Sequence, residues 1–587
     1  MRKKLMLMMS TLLLLLTQLQ AQTTVTVTGT ITDQQDGKPL SGVTIKAKGT
    51  NDATTTNAEG NFKMVVPKSV TILEISYVGY RDMAIRLTGQ PLNIKMAEAD
   101  KSLNEIVVVG YGTKIKKDVL GAVSTVSAKE IANTPATSFE SAIQGRAAGV
   151  LVSQQNGKLG QAINIKIRGA SSVSAGNEPL YVVDGIPITT DNLSSTSAPT
   201  NALADLNMND IESIQILKDA SSTAIYGASA SNGVVLITTK RGKAGTSRID
   251  FSYYTGTQKP TGKRAFLDAK QYVDYFTQAA LGAANQDYLA GYYSTLQAAQ
   301  QDYLNYVNSR FTRYSAGTND WQTAKVNTNW QDEAFQNAPI SEYDLNISGG
   351  DQKTKFYVSG QYLDQTGILV SNSYKRYSGR ANLEHKVKDW LTAGINLAFA
   401  RSLNSRVSND NAFSTPLQIV ALSPITPLID PRTGLTTGAL DPNTGAPNTN
   451  YPVYYNPLLS VIDGFYNTLV NRTVGTFYAT ATLTKQLSFH TDFGVDQLNQ
   501  FEESYYGRLT ARNTGVPNGS GFYGTTQVLN LTTNNYFNYK ANFRQKHDLD
   551  VILGTSYTDR SYDFSSANGE QFPSDAYKKL INAASKT

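Results

Sequence analysis

From about residue 246 onward, apolar and polar residues alternate in segments of about ten residues. Leu391, Ala393, Ile395, Leu397 and Phe399 interleave with Thr392, Gly394, Asn396 and Ala398. Leu487, Phe489, Thr491, Phe493 and Val495 interleave with Ser488, His490, Asp492, Gly494 and Asp496. A period of two sends each set to its own face of a strand, one apolar and the other polar or tiny. A soluble sandwich alternates in the same way, so the connections must decide. Short ones (Gly350 to Thr354, His385 to Trp390, Thr484 to Gln486, Gln545 to Asp548) alternate with long ones (Thr257 to Ile340, Asp364 to Ser373, Arg401 to Arg472, Asn499 to Thr525). That alternation suits a membrane barrel with periplasmic turns at one rim and exterior loops at the other.

Nine strands are predicted: Ile249–Gly256, Glu342–Gly349, Lys355–Asp364, Tyr374–His385, Leu391–Ser402, Thr473–Leu483, Leu487–Gln497, Gln527–Phe543 and Leu549–Thr558. Bacterial single-chain barrels have even strand numbers, so 246–587 is expected to be a partial antiparallel transmembrane β-barrel, with Lys578 to Thr587 outside any strand. The chain is accordingly expected to be a fragment. Within the long connections, Asp268 to Phe311 has helical composition, and Asp430-Pro431-Arg432-Thr433-Gly434 and Asp441-Pro442-Asn443-Thr444-Gly445 are paired turn signals. Such loops suit a lid, a partner surface or a substrate vestibule.

Upstream, Met1 to Ala21 joins a basic start (Arg2, Lys3, Lys4) to an apolar run from Leu5 to Leu16 and a small residue at Ala21. This reads as a secretory signal peptide over 1–21, too short to span a bilayer. No later stretch reaches 18 consecutive apolar residues, which excludes a helical membrane protein and leaves a soluble exported protein or a barrel. Residues 22–97 carry short strands punctuated by turn chemistry, from Val25-Thr26-Val27-Thr28-Gly29 through Asp36-Gly37-Lys38-Pro39 to Leu92-Asn93-Ile94-Lys95-Met96, and predict a small antiparallel β-sandwich. Residues 118–245 mix a helical segment, Ser138 to Gly145, with strands such as Ile163 to Gly169, Pro179 to Ile188 and Asn232 to Lys240, which predicts an α+β domain.

Composition narrows the chemistry. There is no cysteine and only His385, His490 and His547, so disulfides, thiolate metal sites and imidazole clusters are absent or thinly supplied. Against 3 Trp stand 33 Tyr and 45 Gly, a β-rich and turn-rich balance that leans away from catalysis. The formal charge is +6, half of it Arg2, Lys3 and Lys4, which is no nucleic-acid binder's excess. No cofactor or metal site is expected, and no phosphate-loop motif G-x-x-x-x-G-K-[ST] occurs.

In the connector 98–117, Leu103-Asn104-Glu105-Ile106-Val107-Val108-Val109-Gly110-Tyr111-Gly112-Thr113 holds four consecutive β-branched residues before a Gly-Tyr-Gly and a basic run. It reads either as an ordinary core strand or as a strand awaiting a partner that would add it to an exposed sheet edge.

Two resemblances bear on these alternatives. Gly29…Asp33…Gly37-x-Pro39-Leu40-x-Gly42-Val43, Thr56-Asn57-x-x-Gly60-x-Phe62 and Ser76-Tyr77-Val78-Gly79-Tyr80 resemble the carboxypeptidase-regulatory-like domain, a transthyretin-like sandwich without zinc ligands. The ordered segments Asp118 to Ser127, Ser138 to Gly145, Ile163 to Gly169, Pro179 to Ile188, Asp210 to Ala220, Ala224 to Gly227 and Asn232 to Lys240 resemble the plug of SusC/RagA-type TonB-dependent outer-membrane transporters, and the match resumes at Trp330-Gln331-Asp332-Glu333.

The resemblance implies a mainly β protein: sandwich, plug and the first part of a barrel of about 22 strands. It implies that Glu105, Ile106, Val107, Val108, Val109 and Gly110 form the TonB box, and that TonB, with ExbB and ExbD, pulls on it. It also implies a SusD-like surface lipoprotein partner, a location in the bacterial outer membrane and its lipid, and energised import of a large glycan or peptide. Arg168 with Gly169, and Asp184 with Gly185, lie in the plug motifs Ile-Arg-Gly and Val-Asp-Gly, as buried structural ion pairs, loop-satisfying groups or parts of a gate. A surface receptor or adhesin that binds without transport, and a secreted hydrolase with an appended sandwich, are the rival readings.

Overall fold

The computed structural model describes residues 24–34, 36–50, 52–77, 80–97, 106–109, 112–115, 122–131, 138–154, 156–170, 172, 176–195, 199–407, 419–420, 422–446, 456–510, 518–543 and 547–587. The signal segment 1–21, most of the connector, Glu105 and Gly110 lie outside these residues. The chain divides into two compact units, one built on the N-terminal sandwich and one running from Leu120 onward.

The first unit pairs β1 (Thr24–Asp33), β4 (Asn61–Pro67) and β7 (Leu92–Met96) in one sheet, and β2 (Thr44–Ala47), β3 (Ala53–Thr55), β5 (Ile72–Ser76) and β6 (Met83–Arg86) in another. Strict alternation drives the packing: Phe62, Met64 and Val66 are buried while Asn61, Lys63 and Val65 face outward. Together with Ile31, Val43, Ile45, Leu73, Ile75, Ile94 and Met96 they close one core. The expected antiparallel arrangement needs one correction. β7 runs parallel to β1, because the chain crosses from β6 in the other sheet before it returns at Leu92.

β8 (Ile106–Val109) and β9 (Gly112–Ile115) form a two-stranded sheet of their own.

In the second unit, β10 (Val123–Ser127), β13 (Leu180–Val183), β14 (Ile186–Pro187), β15 (Ile211–Leu217) and β16 (Val234–Thr239) make a five-stranded sheet in the order β10-β15-β16-β13-β14. A separate hairpin joins β11 (Val150–Gln154) to β12 (Ile163–Ile167). Phe139, Ile143, Ile165, Tyr181, Val183, Ile214, Ile216, Val235 and Ile237 fill its core. This is the plug.

The rest is one antiparallel sheet in chain order: β17 (Gly245–Gln258), β18 (Ala338–Gly350), β19 (Thr354–Thr366), β20 (Ser373–Lys388), β21 (Leu391–Ser405), β22 (Phe465–Thr482), β23 (Leu487–Tyr506), β24 (Ser520–Phe543), β25 (His547–Glu570) and β26 (Ser585–Lys586). The nine long strands stand where alternation placed them. The tenth is a correction to the reading of Lys578 to Thr587 as strandless: Ser585 and Lys586 pair with Glu570 and Gly569. Among the described residues the order is linear, and β17 is not joined to the last strands. The helical expectation within the first long connection resolves into two helices, Ala269–Leu289 and Leu296–Tyr314, the first closed at its start by a capping box of Asp268 and Gln271.

The sheet is inside out. Leu383, Ile395, Phe477 and Phe493 are cross-strand neighbours on four successive strands, and each is between 43% and 55% exposed. The opposite face carries buried Asn382, Asn396, Thr476 and Asp492. Nearer the long connections, Tyr253, Tyr343, Tyr362 and Tyr377 form a row across four strands with ring centroids 4.8, 6.2 and 4.8 Å apart. Between Tyr377 and the exposed Val387, β20 rises about 34 Å, or roughly 25 Å along the membrane normal at a barrel strand's usual tilt. An outward face of largely apolar residues with a tyrosine row at one rim suits a lipid-facing sheet. No helix among the described residues is long and apolar enough to cross a membrane.

Candidate functional site: a plug clamped to the sheet

The two plug motifs are both left-handed corners. Arg168 and Asp184 have φ of 58° and 48°, and each is followed by a glycine, Gly169 at 102° and Gly185 at 92°, that continues the corner without a Cβ. What they hold differs. Arg168, at the end of β12, pairs with Asp219 at a half-exposed position. Asp184 is buried between β13 and β14, where its carboxylate accepts the Thr239 N–H at 3.0 Å and the Thr239 hydroxyl at 2.6 Å.

Asp184 also faces the sheet. Arg380 of β20 reaches both Asp184 (3.6 Å) and Asp210 (3.5 Å), with all three side chains at most 6% exposed. Asp210 in turn accepts the Tyr357 hydroxyl at 2.9 Å and the Ser359 hydroxyl at 2.5 Å, both from β19. Three more wall arginines also donate to the plug, without a plug carboxylate. Arg376 of β20 donates to the carbonyls of Ala204 and Leu206 in the plug and is steadied by Gln361. Arg472 of β22 forms a two-pronged pair with Asp496 of β23 (2.9 Å each) and donates to the carbonyls of Ala202 (2.7 Å) and Thr189 (2.9 Å); Asp496 accepts the Thr189 N–H at 2.7 Å. Arg406, just beyond β21, pairs with Glu502 at 2.9 Å, and Glu502 accepts the Ser195 N–H at 2.8 Å.

A pair buried this fully gains little against an apolar substitute, but breaking it by losing one partner costs about 3–5 kcal/mol. The contacts therefore act as specific, directional fasteners for Asp184 to Asp210. Side-chain packing is equally close: a Cβ at Gly494 of β23 would stand 2.5 and 2.8 Å from the two γ-carbons of Ile186, so the Ile186 side chain of β14 lies directly on the wall backbone there. Sequence reading did not single out these arginines. Their signal was parity, since Arg376 and Arg380 share the polar phase of Tyr374 and Asn382, opposite Leu383.

One plug carboxyl has no such fastener. Glu140, 1% exposed, places neither oxygen in hydrogen-bonding geometry, although the Ser138 hydroxyl and Asn201 amide nearby soften the cost. Burial pushes its carboxyl up to about 7, and Glu178, close to Tyr181, adds to the rise. The closed plug thus holds a proton that an opened plug releases. That contribution to plug stability is full below about pH 4.5 and falls by about 3 kcal/mol as pH rises to about 7. In the complete protein, plug unfolding followed by urea is expected to weaken over this window, and Glu140→Gln to flatten the dependence. An unchanged slope in the variant refutes the assignment.

The expected TonB box is extended over Ile106–Val109 and paired with Gly112–Ile115. The three histidines lie on three strands, His385 beside Thr354 and His490 beside Thr480, each at 2.8 Å, and they converge on nothing. No cluster of three or more metal-ligating side chains occurs among the described residues.

Residues 115–234 match the TonB-dependent Receptor Plug Domain, and residues 27–108 match the CarboxypepD_reg-like domain. TonB-dependent receptor P3 of Formosa agariphila is 30% identical over 90% of this chain and 48% of its own length. TonB-dependent receptor SusC of Bacteroides thetaiotaomicron is 31% identical over 74% of this chain and 40% of its own length. Among solved structures, the RagAB peptide importer in the 'open-open' state is similar with a TM-score of 0.65 and 26% identity, covering 82% of this chain and 52% of that one. The chain spans about half the length of the curated relatives it matches, 48% for P3. Its paired domains, their order and the sheet that follows them place the chain in the SusC/RagA-type TonB-dependent receptors.

Proposed function

We propose that the complete protein imports a large nutrient across the bacterial outer membrane, using work delivered by TonB. The observation that carries this reading is the clamp itself. A plug fastened to the polar face of an inside-out sheet by Arg380 on Asp184 and Asp210, and by hydrogen bonds from Arg376, Arg406 and Arg472 and to Asp496 and Glu502, obstructs any path along that face, so passage needs these fasteners to be broken. The outer membrane holds no ATP supply, and the chain carries no phosphate loop, so the work arrives mechanically.

Residues 105–110 are the handle in this reading, with Glu105 and Gly110 flanking the strand Ile106–Val109. TonB, energised through ExbB and ExbD, would add its own strand to this one by main-chain hydrogen bonds. We assign 1–21 to export, 22–97 to the sandwich, 98–117 to the coupling connector, 118–245 to the plug and 246–587 to the barrel. Arg168, Gly169, Asp184 and Gly185 shape the plug corners, and Asp184 with Arg380 belongs to the gate. A SusD-like lipoprotein would cap the long-connection side. The cargo class is a glycan or an oligopeptide; one similar structure is titled a peptide importer.

Cells making the complete protein should accumulate labelled cargo only while the inner-membrane proton gradient stands. A protonophore is expected to reduce accumulation to background and leave surface binding intact. Accumulation that survives the protonophore refutes energised import, and binding without any accumulation supports the adhesin reading.

A further inference from the structure

The first plug strand along the chain after the proposed handle is β10, at one edge of the five-stranded sheet, where among the described residues it pairs only with β15. An edge strand is the first to leave when its end is pulled, because one ladder of hydrogen bonds holds it. The hairpin β11–β12 belongs to a different sheet and shares no ladder with β10. Yet two adjacent residues at the end of β15 grip both.

Asp219 divides its carboxylate between them. One oxygen accepts the Ala122 N–H, at the entry to β10, and the other takes the Arg168 guanidinium, at the exit from β12. Lys218 does the same with its ammonium, donating to the Ser124 hydroxyl of β10 at 2.8 Å and to the Ala148 carbonyl, just before β11, at 2.9 Å. The base of the hairpin is itself closed by the Arg168 N–H on the Gly149 carbonyl at 2.9 Å. Both ends of the hairpin are thus tied, through neighbouring side chains, to the first residues of β10. The Ala122 N–H, with the Arg168 guanidinium second, holds the Asp219 carboxyl below its usual range.

We propose that Lys218 and Asp219 form a clasp that makes release of β10 and of the β11–β12 hairpin one event, so that a pull on the connector displaces a two-strand block along with the edge strand. Its use in transport rests on the TonB reading above, whereas the clasp itself does not. Both residues are positioning residues: they act by setting how much of the plug moves together.

Hydrogen exchange on the complete protein in detergent, without TonB, reads the clasp directly. In the wild type, Val123–Ser127 and Val150–Gln154 are expected to open together, appearing as one correlated exchange step with a shared rate. In Asp219→Ala the two segments should separate, with Val123–Ser127 opening about tenfold faster than Val150–Gln154. Lys218→Met, which keeps the carboxylate, should separate them by a smaller factor and covers the case in which Asp219→Ala folds poorly. Unrelated rates in the wild type, or correlated opening that survives both substitutions, overturns the proposal. Cells in which Val108→Pro leaves uptake intact would defeat the TonB reading and leave these exchange rates untouched, so the two failures are distinguishable.

Discussion

Val108→Pro in the complete protein is expected to reduce energised uptake to the level of cells without a proton gradient, while surface binding of cargo stays at the wild-type level. Val108 lies inside the short strand Ile106–Val109, where each residue offers one N–H and one C=O to a neighbour. Proline removes the donor and fixes φ near −65°, which interrupts a ladder that an incoming strand would read. The effect is large because strand addition draws its affinity from the main chain, and four residues supply few bonds to lose. That strand already pairs with Gly112–Ile115, so a partner has either to use its free edge or to displace β9. Displacement is cheap, since an isolated two-stranded sheet is marginal in water. The plug fasteners at Arg376, Arg380, Arg406 and Arg472 are far along the chain and stay intact, which is why binding is expected to survive. Val108→Thr keeps the donor and the β-branch and should retain uptake within about twofold. Wild-type uptake by Val108→Pro would remove residues 105–110 from the coupling role.

Much of the sheet was legible because its turns and its lipid-type alternation are local. The short-connection ends were read closely: Leu391 and Leu487 begin their strands as expected. The other ends were cut short. β22 starts at Phe465 where Thr473 was expected, β24 at Ser520 where Gln527 was expected, and β25 runs to Glu570 past Thr558. Beyond the apolar band the outward phase turns polar, as at Asp559, Ser561, Asp563 and Ser565 of β25, so the lipid-type signal ends while the ladder continues. The parallel return of β7 and the two-residue β26 were invisible for a different reason. Neither has a local signature; both depend on which strand lies next to them in space.

At the site, the two plug motifs could be marked in the sequence, but their left-handed geometry and their partners could not. Ile-Arg-Gly and Val-Asp-Gly announce a residue followed by a glycine that can take positive φ. That Asp184 would meet Arg380 on one side and Thr239 on the other is a matter of tertiary placement across a long stretch of chain. The wall arginines were hidden by their surroundings, since an arginine in a polar phase reads as a lumen residue until the plug that buries it is in place.

These 587 residues hold no cysteine, so an engineered pair has no competitor among them and allows a direct test of plug movement. Ile186 of β14 and Gly494 of β23 are suited to it. A Cβ at 494 would stand 2.5 and 2.8 Å from the γ-carbons of Ile186, which puts the two Cβ atoms within the reach of about 4 Å that a disulfide needs. Ile186→Cys with Gly494→Cys, oxidised in the complete protein, would bolt the plug to the wall beside the Asp184–Arg380 contact. Uptake of labelled cargo should then fall to background and return on adding a reductant, while each single cysteine variant transports throughout. Uptake at the wild-type rate with the disulfide formed in every molecule would contradict the claim that this part of the plug must leave the sheet for cargo to pass.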